Sequence, residues 1–138
     1  MILKPLTVPG KLESLDAIAC FAIKAAELAN LDRKSVYKLR LAVDEIATNI
    51  IQHGYTEANL AGEISCYAEL EGVYLNITIE DWGQAYDYRE YARPESLQQP
   101  LESRPIGGLG IYLAMQSVDE FQYQRIGDRN RHLLSVKR

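Results

Sequence analysis

A chain of 138 residues, 47 % apolar and 25 % charged with a formal net charge of −4, has the make-up of one ordinary globular domain. That charge argues against a direct nucleic-acid binder, which needs a basic surface, and no stretch is long and apolar enough to span a bilayer. The start, MILKPLTVPGKLESLD, has no basic segment leading into an apolar core, so no secretory signal is read and a cytoplasmic protein is expected.

ILKPLTV reads as a short edge strand, because Pro5 cannot donate to a sheet ladder. From Leu12 to about Ala29 apolar residues recur at helical spacing (Leu12, Leu15, Ile18, Ala19, Ala22, Ala25, Ala26), which predicts a first amphipathic helix. Asp32 suits the N-cap of a second helix from Arg33 to about Gln52, closed by His53-Gly54. In EISCYAEL and VYLNITIE apolar and polar residues alternate on either side of Glu71-Gly72. That pattern predicts a hairpin burying Ile64, Cys66, Ala68 and Leu70 with Val73, Leu75, Ile77 and Ile79. Cys20 and Cys66 are expected to be buried reduced thiols. With only His53 and His132 beside them and no close ligand spacing, no zinc site is read.

From Trp82 to Pro105 the periodicity fails. Pro94, Pro100 and Pro105 punctuate a polar segment too long for a connector, the mark of a functional lid. A glycine cluster, GGLG, then opens the helix IYLAMQSV, followed by the strands EFQYQRI and RHLLSVK. The element order predicts one α+β domain over residues 1–138, a two-layer sandwich with helices on one face of a mixed, mainly antiparallel sheet.

Three short motifs carry the chemistry. On the helix that carries LAVDEIATNIIQHGY, Leu39, Val43, Ile46 and Ile50 form the apolar stripe, while Glu45, Asn49 and His53 form an i, i+4 row on its polar margin. Such pairs are common on helix flanks, so the row means little alone. It is followed by DWGQAYD, a carboxylate at a strand end with glycine two residues later. GGLG at a helix start then offers backbone amides that suit a phosphate. A carboxylate, a metal-capable amide and a phosphate cradle in that order suggest a Mg-nucleotide.

These stretches resemble the GHKL ATPase superfamily, and within it the anti-sigma-factor serine/threonine kinases of bacterial partner-switching systems. LAVDEIATNIIQHGY is similar to the family's N-box helix, DWGQAYD to its first glycine box and IGGLGIYLAMQSVDEFQY to its second. The closing GDRNRHLLSVKR resembles the final hairpin of the same branch. The resemblance implies a Bergerat-type ATP-binding fold. It implies Asn49 as the Mg²⁺ ligand, Glu45 as general base, and Asp81 as the acceptor of the adenine amino group. Gly83 would leave room for the base, and Gly107, Gly108 and Gly110 would line the phosphate side of the lid. The partners it implies are a STAS-domain anti-anti-sigma protein, which would be phosphorylated, a sigma factor, and a second copy of the chain.

Two competing functions stand beside that of a kinase. One is an ATP-binding partner-switch module without efficient phosphoryl transfer, against which Glu45 counts. The other is a histidine-kinase ATPase domain, although no phospho-accepting histidine stands ahead of the N-box. Ala85 replaces a glycine of the first box, and would cost about 1 kcal/mol if that position required positive φ. Tyr86 and Tyr88 depart from the usual Phe and Pro. Trp82 has two readings, packing beside the nucleotide or filling the hairpin end. His53 is read as complementing the helix dipole. Arg125, Arg129, Arg131, Lys137 and Arg138 are read as a solvated strand face, with a partner surface as the alternative.

Overall fold

In a computed structural model, residues 2–85 and 114–138 are described. Two helices, α1 (Leu15–Leu28) and α2 (Arg33–Asn49), cover one face of a five-stranded sheet. The strands are β1 (Leu6–Pro9), β2 (Glu63–Glu71), β3 (Tyr74–Asp81), β4 (Glu120–Ile126) and β5 (Arg129–Lys137), in the order β1-β2-β3-β5-β4. All four pairings are antiparallel, so the mixed sheet expected from the sequence is an antiparallel one among the described strands.

Local chemistry sets the boundaries. A 3₁₀ turn over Leu12–Ser14 precedes α1, and it leaves Leu12, expected in the buried stripe, 57 % exposed. Asn30 stops α1 with φ of 59°. The Leu31 amide then bonds the Ala26 carbonyl at 3.0 Å and the Asn30 amide that of Glu27 at 3.0 Å, the paired closure a left-handed residue permits. Asp32 caps α2 as expected, its carboxylate accepting from the Ser35 amide at 2.7 Å.

The end of α2 differs from the sequence expectation. The chain does not close at His53-Gly54 but runs on as a π-helical segment, Ile50–Thr56. The residue that can turn left-handed is Asn59, at φ 56°, and it closes the segment with a Leu60 amide to Tyr55 carbonyl bond of 2.9 Å. In this π register Ile50, Ile51, Gly54 and Tyr55 are all buried. Tyr55 locks this end. Its ring fills the space where side chains at Gly10 and Gly62 would begin, 2.5 Å and 2.9 Å from a built Cβ.

The core lies between helices and sheet, with Leu39, Val43, Ile46 and Ile50 of the predicted stripe buried against Ile64, Cys66, Ala68, Leu75, Ile77 and Ile79. Val73 stands in the turn and is exposed, and so is Cys20, against expectation: only Cys66 of the two thiols is buried, and burial pushes it up to about 12. The other sheet face carries polar residues, among them a Ser135 hydroxyl donating to Asn76 at 2.7 Å.

Candidate active site

Register gathers polar groups of three strands on the helix-facing side of the sheet. Asp81 stands opposite Asn130 across β3 and β5, and Asn130 opposite Arg125 across β5 and β4. One rung along, His132 faces Ile79 on one side and Tyr123 on the other. Asp81, Asn130 and His132 are each at most 2 % exposed.

A buried carboxylate is costly unless donors meet its oxygens. Here they do. Asp81 Oδ1 accepts from the Gly83 amide at 2.9 Å and from Asn130 Nδ2 at 2.9 Å, while Oδ2 lies 2.9 Å from His132 Nε2. The Asn130 carboxamide is held in turn. Its oxygen accepts from the Tyr123 hydroxyl at 2.5 Å and from Arg125 Nη1 at 3.1 Å. Arg125 Nη1 also donates to the Gly83 carbonyl at 2.9 Å. Donors surround one end of the amide and acceptors the other, so its orientation is settled by its neighbours.

The glycine of DWG has a steric task. A Cβ on Gly83 would meet the Gly54 carbonyl oxygen at 2.6 Å, so strand end and π segment touch backbone to backbone. The Gln84 amide bonds the same carbonyl at 2.9 Å. Beside this contact the Tyr55 hydroxyl donates to the Glu63 carbonyl at 2.6 Å and accepts from the Trp82 amide at 2.9 Å. Burial is the main reason its phenol is pushed up to about 12. Trp82 itself is 40 % exposed.

Asn49 sits at the end of α2, 5 % exposed, its Nδ2 donating to the Glu45 carbonyl at 2.7 Å. Because that carbonyl can only accept, the amide nitrogen must face it, which leaves the Asn49 oxygen as an acceptor without a hydrogen bond among the described residues. Glu45 is half-buried one turn earlier, and burial first, then the Asp44 charge, raises its carboxyl above the usual glutamate range. His53, the next member of the expected row, has its Nδ1 2.6 Å from Glu57.

Among the described residues no three His, Cys, Asp or Glu side chains could hold a metal ion together. A cation carried in on a nucleotide is another matter. Mg²⁺ needs only one or two protein oxygens beside phosphates and water, and the Asn49 oxygen is of that kind. Gly107, Gly108 and Gly110, with Tyr86, Tyr88 and Tyr91, lie outside the described residues. Ala85 does not need glycine's freedom, since the non-glycine residues at positive φ among those described are Asn30 and Asn59.

Residues 8–136 match the protein family described as the histidine kinase-like ATPase domain. The chain belongs to that family. Two relatives, the serine-protein kinases RsbW of Bacillus thuringiensis and Bacillus cereus, are each 30 % identical over 118 residues, 83 % of this chain and 72 % of theirs. They bear out the resemblance read from the three motifs. Among solved structures, the RsbU and RsbW domains of a Mycobacterium tuberculosis protein align with 98 % of this chain and 32 % of that one (TM-score 0.62, 16 % identity). The histidine kinase domain of an Erythrobacter litoralis blue-light activated histidine kinase aligns with 89 % of this chain and 60 % of that one (TM-score 0.56, 16 % identity). The SiaB–SiaC complex of Pseudomonas aeruginosa contains a chain covered to 89 % (TM-score 0.55, 14 % identity). At such identities these likenesses establish the histidine kinase-like ATPase fold.

Sequence reasoning missed three members of the site. Asn130 lay ahead of the expected strand, Arg125 was assigned to a solvated face, and His132 was weighed only as a metal ligand. The signal for the first was present. Gly127-Asp128 makes a two-residue hairpin loop with Gly127 at φ 61°, which starts β5 at Arg129 and places Asn130 opposite Asp81.

Proposed function

We propose that the protein is an ATP-dependent serine/threonine kinase and anti-sigma regulatory factor of the cytoplasm. In this reading it phosphorylates a STAS-domain anti-anti-sigma partner and in another state sequesters a sigma factor. The observation that carries the reading is the Asp81 carboxylate, buried beside Gly83 with two N–H donors on Oδ1 and His132 Nε2 beside Oδ2, which supports its role as acceptor for an amino-bearing base. The serine-protein kinase relatives support the choice of activity.

In this reading Asp81 accepts from the adenine amino group. A guanine would bring a carbonyl oxygen to the same place and be refused. Asn49 would ligate Mg²⁺ through its amide oxygen, and that ion would supply charge neutralisation of the phosphates. Gly107, Gly108 and Gly110 would border the phosphates. The γ-phosphoryl group passes to the acceptor's serine or threonine oxygen, ADP leaves, and Glu45 takes the hydroxyl proton. A base with a raised pKa is matched to that late proton, although its fraction ionised falls sooner in acid.

Calorimetric titration with Mg-ATP and Mg-GTP tests the site, with Asn49→Ala as control. Binding of ATP, weak binding of GTP and loss in the variant are expected; no binding of either nucleotide sinks the proposal. A protein that binds ATP yet leaves every STAS partner unphosphorylated is instead a nucleotide-gated binding module. The proposal also includes a homodimer, which light scattering would contradict by finding monomer alone at working concentration.

A further inference from the structure

We infer that His132 and Asn130 are positioning residues which fix the orientation of Asp81 and the one acceptor direction it keeps open, and so set the choice of an amino over an oxo purine. The inference rests on the nucleotide reading above and goes beyond it to residues of β5.

A carboxylate offers about four lone-pair directions. Three are taken, by the Gly83 amide and Asn130 on Oδ1 and by His132 on Oδ2. Asp81 therefore has capacity for about one more donor, which an exocyclic amine supplies and a purine carbonyl cannot. The two helpers differ in what they prevent. Asn130 stands directly across the ladder, and its own oxygen is held by Tyr123 and Arg125, so it fixes the plane of the carboxylate from one side. His132 Nε2 lies 2.9 Å from the other oxygen, so the carboxylate cannot swing Oδ2 round to a new partner. Held at both oxygens, Asp81 keeps one acceptor direction for a base that arrives beside Gly83. His132 is held by this bond and by the Tyr123 ring, whose centroid lies 5.3 Å away.

The test compares affinities for Mg-ATP and Mg-GTP, by calorimetry, in the wild type and three variants. His132→Ala is expected to reduce the ATP-over-GTP preference by about tenfold or more, the scale of a lost hydrogen bond to a charged group. His132→Gln returns one N–H donor and is expected to keep the preference within about threefold of wild type. Arg125→Ala removes an exposed side chain that steadies Asn130, and is expected to lower the preference by about two- to fivefold. A packing role alone would lower the melting temperature and leave the ratio of the two affinities unmoved.

An unchanged ratio in folded His132→Ala overturns the inference. Should that variant not fold, an unchanged ratio in Arg125→Ala, or a lost preference in folded His132→Gln, overturns it instead. A wild type that prefers ATP while the variants disobey removes this inference alone. A wild type that binds neither nucleotide, or both equally, removes the nucleotide reading and this inference with it.

Discussion

Gly54 and Gly83 meet asymmetrically. A methyl on Gly83 would stand 2.6 Å from the Gly54 carbonyl oxygen and 2.8 Å from its carbonyl carbon, whereas one on Gly54 meets nothing nearer than Asp81 Oδ1 at 3.8 Å. Neither residue sits at positive φ, so the difference between them is one of space.

Gly83→Ala must therefore push the strand end from the π segment. It is expected to cost about 1–3 kcal/mol, as overpacking does, and to weaken ATP binding, because Asp81 moves with its neighbour. Gly54→Ala is expected to be neutral or to stabilise by up to about 1 kcal/mol through lower unfolded-state entropy. Scanning calorimetry of the two variants checks this, and equal losses in melting temperature would contradict it.

Glu45→Ala is expected to abolish partner phosphorylation while leaving ATP affinity within about twofold, since a base acts in the transition state rather than in binding the nucleotide. The pH profile should report the same group. Its pKa is raised by burial first and by Asp44 second, so the acid limb of transfer activity lies above the ordinary glutamate range. Asp44→Asn removes the second cause and should move that limb to lower pH. The stability sign is opposite to that of an ion-paired carboxylate. A raised folded pKa means the native state holds its proton longer, so the contribution of Glu45 to stability falls as pH rises from the ordinary glutamate value of 4.5 through the folded one. Partner phosphorylation measured across pH, with Asp44→Asn beside the wild type, is the experiment; coincident limbs would refute the Asp44 effect.

Glu80, neighbour to Asp81 in the chain, points to the other sheet face. It is 4 % exposed, with Arg129 Nε at 3.2 Å and Arg131 Nε at 3.1 Å. Glu80→Ala leaves two guanidinium groups facing each other and is expected to cost about 1–3 kcal/mol, less in high salt, with ATP affinity unchanged. Urea titration at two ionic strengths and a nucleotide titration decide it. A loss of ATP binding would show that the two sheet faces are coupled.

Tyr55→Phe keeps the ring against Gly10 and Gly62 but strands the Glu63 carbonyl and the Trp82 amide. A cost of about 1–3 kcal/mol is expected. Trp82 is the chain's one tryptophan, 40 % exposed and next to the lost bond, so its emission should shift in the folded variant. An unchanged spectrum and unchanged urea midpoint would mean that water replaces the hydroxyl at no cost.

Much of the fold was legible because period and punctuation agree. Asp32, the Leu39–Val43–Ile46–Ile50 stripe and the alternation through Ile77 and Ile79 each had a local cause that tertiary contacts did not override. The π segment was not legible. Its residues keep an apolar spacing that also fits an ordinary helix, and the cause of its register is Tyr55 wedged between glycines distant in sequence. Of the candidate site, the motifs gave Asp81, Asn49 and Glu45. What they could not give was the set of groups around Asp81, since those come from a strand pairing across 49 residues.

That same pairing separates two halves of the sheet. The hairpin of β4 and β5 joins the rest of the ladder through β3, and Asn130 and His132 ride on it. A fluctuation that undocks the hairpin would keep α1, α2 and the β1–β2–β3 meander, yet would strip Asp81 of two of its three donors. Any ligand recognised by the completed carboxylate must then hold the hairpin shut, by mass action alone. Amide exchange along β5 should slow when nucleotide is present, far more than exchange along β1, so that occupancy of the pocket can be read as the seam of a closing sheet.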